Sequence, residues 1–103
     1  MAELLNDTQF ENLKNYCKID QDFDDQLLLD LVNADALMIA KAISVEADGD
    51  TFISDPRFLI ALNKQVKEDY YMRGLTADNY RPDLANGVDN IVLQLLGEQW
   101  YEN

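Results

Sequence analysis

The chain has 103 residues, 48% of them hydrophobic, and a formal net charge of −12. That length supports one small domain over 1–103, with flexible ends at about 1–6 and 98–103, and leaves no room for a second domain. The acidic balance argues against direct binding to a phosphate backbone, and we expect neither a signal peptide nor a membrane span.

The first predicted helix begins at Asp7 or Thr8, where Thr8 to Glu11 has the form of a capping box. Its buried stripe is predicted to contain Phe10, Leu13, Tyr16 and Cys17. Cys17 is the only cysteine, which excludes an intrachain disulfide and indicates a reducing cytoplasm. Because the chain has no histidine to activate this thiol, we predict that Cys17 is buried and unreactive.

The turn after this helix is crowded with carboxylates: Asp20, Asp22, Asp24 and Asp25. An EF-hand loop beginning at Asp20 would need glycine near position six and a bidentate acid at position twelve. Asp25 and Leu31 stand there instead. We interpret these aspartates as caps of the next helix and as an acidic face, not as metal ligands.

Helix two is predicted from about Asp24 to Val45, roughly 30 Å long at the usual rise per residue. Its apolar stripe is wide and comprises Leu27, Leu28, Leu31, Val32, Met38, Ile39, Ala42 and Ile43. Leu29, Leu37 and Val45 widen it beyond the need of one packing partner. The helix is therefore either central to the monomer or also used between subunits.

The segment from Glu46 to Ser54 is a second calcium-like pattern, but its twelfth position is Arg57, a cation in place of the bidentate acid. We interpret it as an inter-helix loop in which Asp48 and Gly49 turn the chain.

Helix three has a clear predicted start, with Asp55 as the cap and Pro56 at the first helical position. Gly74 is well placed to end it. Its stripe is predicted to contain Phe58, Leu59, Leu62, Val66 and Tyr70.

Helix four is predicted to start at Gly87 or Val88, after a turn at Asn86. Its stripe ends near Gly97 and consists of Val88, Ile91, Val92, Leu95 and Leu96. No alternating strand pattern competes with these segments, so the predicted fold class is all-α: a small bundle of about four helices with one long central helix and a C-terminal helix.

The chemistry of catalysis is missing from the sequence. There is no histidine, phosphate-binding glycine loop, CxxC pair or nucleophile-elbow serine. The first 50 residues hold 12 acids and 3 bases, and we expect those acids on turns and outer helix faces as a solvated surface. The sequence therefore predicts no enzyme, no cofactor and no metal site.

Several different short motifs follow one another along the chain: Leu13-Lys14-x-Tyr16-x-x-Ile19-Asp20, Asp24-Asp25-x-Leu27-Leu28, Ala61-Leu62 with Val66, Tyr70 and Arg73-Gly74, and Gly87-Val88 with Ile91 and Gln94-Leu95-Leu96-Gly97. This order resembles the tailed-phage head-tail connector family, also called the QLRG family, over roughly residues 10 to 97. Leu96 stands where that family usually has arginine, and the acidic 46–55 loop also departs from the pattern.

The resemblance implies a head-completion adaptor made in the bacterial host cytoplasm and incorporated into the virion. Copies would form a homo-oligomeric, dodecameric ring under the portal protein after DNA packaging. The ring would extend the channel, pass DNA without sequence-specific binding, and dock a tail-side head-closure protein. A ring of this kind requires a heterologous interface between unlike patches.

Three sets of site residues follow from these considerations. The subunit interface is predicted at Leu29, Leu37, Tyr71 and Arg73, although Arg73 is also explained as a helix-end cation that complements the helix dipole. The resemblance places the portal contact in the C-terminal segment, with aromatic anchors at Trp100 and Tyr101. The acidic residues expected to line or flank the channel, where they would repel DNA, are Asp22, Asp24 and Asp25.

The alternative function is an acidic decoy that imitates DNA and inhibits a host DNA-binding protein. Such a mimic needs carboxylates spaced like duplex phosphates, about one charge per 1.7 Å of helix axis. The carboxylates of this sequence instead cluster at predicted helix starts, which favours the connector.

Overall fold

The computed structural model of the protein describes residues 4–72 and 87–102, with side chains up to residue 98. Four helices follow in chain order: α1 (Asp7–Cys17), α2 (Asp25–Ile43), α3 (Pro56–Tyr71) and α4 (Val88–Glu102). No strand occurs within those residues, and the predicted all-α class is confirmed.

α3 is the helix on which the others pack. Its buried residues recur at helical spacing and form a wide arc: Phe58, Ala61, Leu62, Gln65, Val66, Asp69 and Tyr70. α1, α2 and α4 all contact α3, and α2 also contacts α4. α2 is the longest helix, as predicted, but within the described residues it is α3 that touches each of the other three.

The cap of α1 differs from the prediction. The helix begins at Asp7, one of the two predicted starts, but the capping residue is Asn6 and not Thr8. Asn6 Oδ1 accepts from the Gln9 backbone N–H at 2.8 Å, and Gln9 Oε1 accepts from the Asn6 N–H at 2.9 Å. The Thr8–Glu11 box was wrong because the Asn6–Gln9 pair, two residues earlier, already forms the reciprocal bonds of such a box.

The end of α1 turns sharply at Lys18, which has a left-handed backbone (φ 60°, ψ 43°). The Lys18 and Ile19 N–H groups donate to the carbonyls of Asn15 and Lys14, as in a Schellman motif. Ile19 is consequently buried beside the helix end, and Cys17 is fully buried, as predicted. Tyr16, also assigned to the buried stripe, is instead 40% exposed.

α2 ends two residues before its predicted limit. Ser44 adopts an extended backbone, and Val45, expected to widen the apolar stripe, is 84% exposed. The Lys41 ammonium compensates the helix end by donating to the carbonyls of Val45 and Ala47, at 3.2 and 3.1 Å.

The loop before α3 is closed by its own hydrogen bonds. Asp48 N donates to Thr51 Oγ1 at 2.8 Å, and Thr51 N donates back to the Asp48 carbonyl at 3.2 Å. Asp55 then caps α3 by accepting from the Arg57 N–H at 2.9 Å, with Pro56 at the first helical position, as predicted.

α4 begins at Val88, one of the two predicted starts, directly after Gly87, whose φ of 93° favours glycine. The helix runs through Gly97, where the apolar stripe was predicted to end, to Glu102. Arg57 pairs with Glu98 as well as with Asp55, which ties α4 to the start of α3. Hydrogen bonds from Arg57 lower the pKa of both carboxyl groups. α3 ends at Tyr71, with Met72 as its C-cap, which is earlier than the predicted end at Gly74; Gly74 itself lies outside the described residues.

Leu95 and Leu93 of α4 provide a matched test of this packing. Leu95 is buried and Leu93 is 62% exposed. We expect Leu95→Ala to lower the free energy of unfolding by about 2–5 kcal/mol through lost burial and a residual cavity. Leu93→Ala should stay within about 0.5 kcal/mol of the parent. Urea denaturation followed by circular dichroism measures both; equal effects would contradict the packing of α4.

Candidate functional site

The acidic turn between α1 and α2 is organised around a buried lysine. Lys14 Nζ lies 2.7 Å from Asp22 Oδ1 and 2.9 Å from Asp25 Oδ1, while the Lys14 side chain is only 6% exposed. Hydrogen bonds to Asp22 and Asp25 raise the pKa of Lys14 above its usual range. Both carboxylates therefore face the lysine, but Asp22 is 89% exposed, whereas Asp25 is partly buried.

The Asp24 side chain bonds to α3 instead of capping α2. The Tyr70 hydroxyl donates to Asp24 Oδ2 at 2.5 Å, and Gln21 Nε2 lies 3.5 Å from both groups. Asp24 occupies the position before α2, but its side chain accepts no capping hydrogen bond from that helix. The predicted capping role of Asp24 is therefore wrong, because a tyrosine 46 residues away competes for its carboxylate.

These contacts bear on the carboxylates predicted to face a channel. Asp24 and Asp25 are partly buried and are engaged inside the monomer by Tyr70 and Lys14. Asp22 is exposed even though it pairs with Lys14. The channel assignment stays a prediction for all three, and Asp22 is the one whose charge the monomer leaves at its surface.

The residues of the predicted subunit interface are spread over two helices. Leu37 of α2 and Tyr71 of α3 are 42% and 56% exposed, and Leu29 is half-buried. The Tyr71 hydroxyl donates to the Cys17 carbonyl at 2.5 Å, which fixes the ring at the end of α1. Arg73 lies outside the described residues, as do the side chains of the predicted portal anchors Trp100 and Tyr101 in α4.

Two exposed helix faces differ in charge. The α3 outer face is defined by four residues one turn apart, Ile60, Lys64, Lys67 and Tyr71; its two lysines are half-buried, and the exposed Glu68 lies beside it. The α2 outer face is defined by Asp30, Asn33, Leu37 and Lys41, and the Lys41 ammonium is held by backbone carbonyls. The α3 outer face thus combines two lysines with two exposed apolar residues, and one glutamate flanks it.

A pair of acids is buried between α2 and α3. Asp35 and Asp69 are 4% and 5% exposed, and Gln65 beside them is fully buried. Gln65 Nε2 donates to the two Asp69 oxygens at 3.3 and 3.4 Å. Desolvation, followed by a hydrogen bond to Asp69 and the charge of that residue, raises the pKa of Asp35 to about 9.

This acid pair was missed in the sequence, where all carboxylates were expected on turns or outer faces. That expectation was wrong for Asp35 and Asp69. The available signal was helical spacing: Asp35 lies seven residues after Leu28, and Asp69 eleven after Phe58, so each falls on the buried stripe of its helix. The prediction relied on the general preference of carboxylates for solvent and did not use this helical spacing.

The described residues contain no group of three or more histidine, cysteine, aspartate or glutamate side chains able to hold a metal ion. Within the same ranges, no helix is both long and apolar enough to cross a bilayer. Burial raises the pKa of the Cys17 thiol to about 11, which disfavours the thiolate. Comparison with protein-family models, curated proteins and solved structures finds no match.

The Tyr70–Asp24 bond provides a test of the turn. We expect Tyr70→Phe to lower the free energy of unfolding by about 1.5–3 kcal/mol, the usual range for a hydrogen bond to a charged group. Tyr16→Phe is the matched control, because its ring keeps the contact with Lys67 Nζ at 5.3 Å from the centroid. Chemical denaturation of both variants measures the difference; equal stabilities would show that this bond does not hold α3 to the turn.

Proposed function

We propose that this chain is a head-tail connector protein of a tailed phage or prophage. In this role it is a non-enzymatic adaptor that forms a ring under the portal protein, extends the DNA channel and docks a tail-side head-closure protein. It is assembled in the bacterial host cytoplasm and becomes part of the virion.

The proposal rests on the positions, within the folded chain, of the residues that carry the resemblance to the connector family. Nine of these 22 residues belong to the hydrophobic core: Leu13, Ile19, Leu28, Ala61, Leu62, Val66, Tyr70, Val88 and Leu95. Tyr70 in addition bonds the turn at Asp24. The proposal is supported by the fact that the apolar positions of the resemblance are the ones that pack together in one core.

The exposed apolar residues support assembly with other copies. Leu37, Ile60 and Tyr71 are between 42% and 56% exposed on the two outer faces. A contact between copies would remove these residues from water, which favours association. The proposed ring contact joins the α2 outer face of one copy to the α3 outer face of the next, a heterologous arrangement that can close.

Charge favours the same pairing. Lys64 and Lys67 lie on the α3 outer face, whereas Asp30 lies on the α2 outer face. Opposite charges on unlike faces attract in the heterologous arrangement and give it specificity. The remaining acidic surface, with Asp22 at the turn, would repel DNA in a channel.

The acidic decoy remains the alternative, but no observation on the described residues favours it. Asp35 and Asp69 are buried, and Asp24, Asp25 and Asp55 are engaged inside the monomer. Carboxylates used in this way are withdrawn from any surface array that would imitate duplex phosphates.

The connector proposal predicts binding to the cognate portal protein. Mass measurement of the chain mixed with purified portal rings should show about twelve copies bound to each portal. Deleting residues 100–103 removes Trp100 and Tyr101 but keeps Glu98 and its contact with Arg57. This deletion should weaken portal binding at least tenfold, since aromatic anchors dominate interfaces, without changing helicity by circular dichroism.

No complex between the full-length chain and the portal would contradict the connector function. Normal portal binding by the shortened chain would leave that function standing and place the contact elsewhere.

The ring contact predicts a specific rescue. Asp30→Lys and Lys67→Glu each place like charges across the proposed interface, so each variant alone should assemble on the portal at least several-fold less well. An equimolar mixture should recover, because alternating copies restore opposite charges at every contact. Asp89→Lys, an exposed position on α4, serves as the charge control. Normal assembly of both single variants would contradict a contact between these faces.

A further inference from the structure

The acid pair between α2 and α3 is placed so that ionisation of both carboxyl groups would leave buried negative charge without enough hydrogen-bond donors. Asp35 and Asp69 lie within hydrogen-bonding reach of each other, on different helices and almost entirely out of solvent. Gln65 donates to Asp69, while no donor among the described residues reaches Oδ2 of Asp35. A buried carboxylate oxygen without a donor is costly if charged, but it needs no donor if it carries a proton.

The surrounding charges do not compensate the pair. Within the described ranges, Asp69 of α3 is the only charged group that acts on Asp35, and no group on α1 or α4 does so. The lysines nearest in α3 are directed elsewhere: Lys67 lies over the Tyr16 ring, and Lys64 Nζ is beside Gly87. Two carboxylates in contact without a cation cannot both be charged at low cost.

We propose that Asp35 and Asp69 share one proton, that this proton bonds α2 to α3, and that its loss in alkaline solution loosens the packing of these two helices. The pair is thus a proton-dependent latch inside the domain. It does not depend on the proposed connector function, since it rests on the monomer alone.

The direction of the pH effect follows from the protonation of each state. An unfolded aspartate has a pKa near 3.9, whereas burial and Asp69 raise the pKa of Asp35 in the folded chain to about 9. Between these values the folded state holds one proton more than the unfolded state. Unfolding then releases a proton, so stability falls as pH rises through this window, by about tenfold in the unfolding constant per pH unit.

A bound cation is a poorer explanation of the pair. Calcium requires roughly six to eight oxygen ligands, and the site offers two carboxylates and the Gln65 amide. The two carboxyl groups are also close enough to hydrogen-bond each other. A proton satisfies that geometry without further ligands.

The test replaces the titrating group with a permanent donor. Asp35→Asn keeps the shape of the side chain and supplies an N–H to Asp69 at every pH. Relative to this variant, the parent's unfolding constant should rise about tenfold per pH unit between pH 5 and 9. Calorimetry at pH 7 in buffers of different ionisation enthalpy should show that unfolding of the parent releases one more proton. Asp30→Asn, an exposed aspartate of the same helix, should behave as the parent.

Parallel pH profiles for the parent and Asp35→Asn would overturn the proposal. If that variant does not fold, carboxyl carbon NMR of the unaltered protein decides. One aspartate signal must titrate in the alkaline range, and titration of every carboxyl group below about pH 6 would overturn the latch. Calcium chloride and choline chloride should be compared at equal ionic strength. If only calcium chloride abolishes the alkaline loss of stability, the pair binds a metal ion and the shared proton is contradicted.

Discussion

The buried arc of α3 is the surface on which the other helices depend, and it is not wholly apolar. Phe58, Leu62 and Val66 supply hydrophobic area, but Gln65 and Asp69 occupy equivalent positions along the same stripe. Apolar packing tolerates sliding more readily than a hydrogen-bonded acid does, since Asp69 needs both its amide donor and Asp35 in place. The polar pair therefore specifies which part of α2 faces α3, at a cost in stability that an apolar pair would avoid.

The carboxylates of the described residues occupy different environments, which net charge alone does not distinguish. Asp22 pairs with Lys14 at the surface, Asp24 and Asp25 are partly buried and bonded by Tyr70 and Lys14, and Asp35 is buried beside another acid. Of these four carboxylates, Asp22 is the most accessible to an external partner, although it is paired with Lys14. An argument from charge to function should therefore count only the exposed acids and not the total of −12. This holds whether the partner is DNA in a channel or another copy of the chain.

Periodicity and capping chemistry predicted the four helices, the starts of α3 and α4, and the burial of Cys17. They failed where a residue had two possible partners. Asn6 forms the capping box assigned to Thr8, and Tyr70 takes the carboxylate of Asp24 from the start of α2. A periodic stripe shows which face of a helix is apolar but not how many helices meet it, so the role of α3 could not be read from its sequence. The surfaces proposed for assembly could not be predicted from helical periodicity, because they depend on the surface of a partner.

The inner and outer faces of α3 belong to one helix, so protonation of the acid pair and the ring contact are linked if both depend on the position of that helix. Asp69 holds the inner face, and Tyr71, two residues later, lies on the outer face and is fixed to the Cys17 carbonyl. If the ring contact selects the α3 position in which the latch is closed, it must raise the affinity of the acid pair for its proton. By reciprocity, loss of that proton must weaken the ring contact by the same factor. A ring contact that forms equally well with the acid pair protonated or ionised would show no such dependence. The pH dependence of assembly therefore shows whether assembly requires the protonated pair.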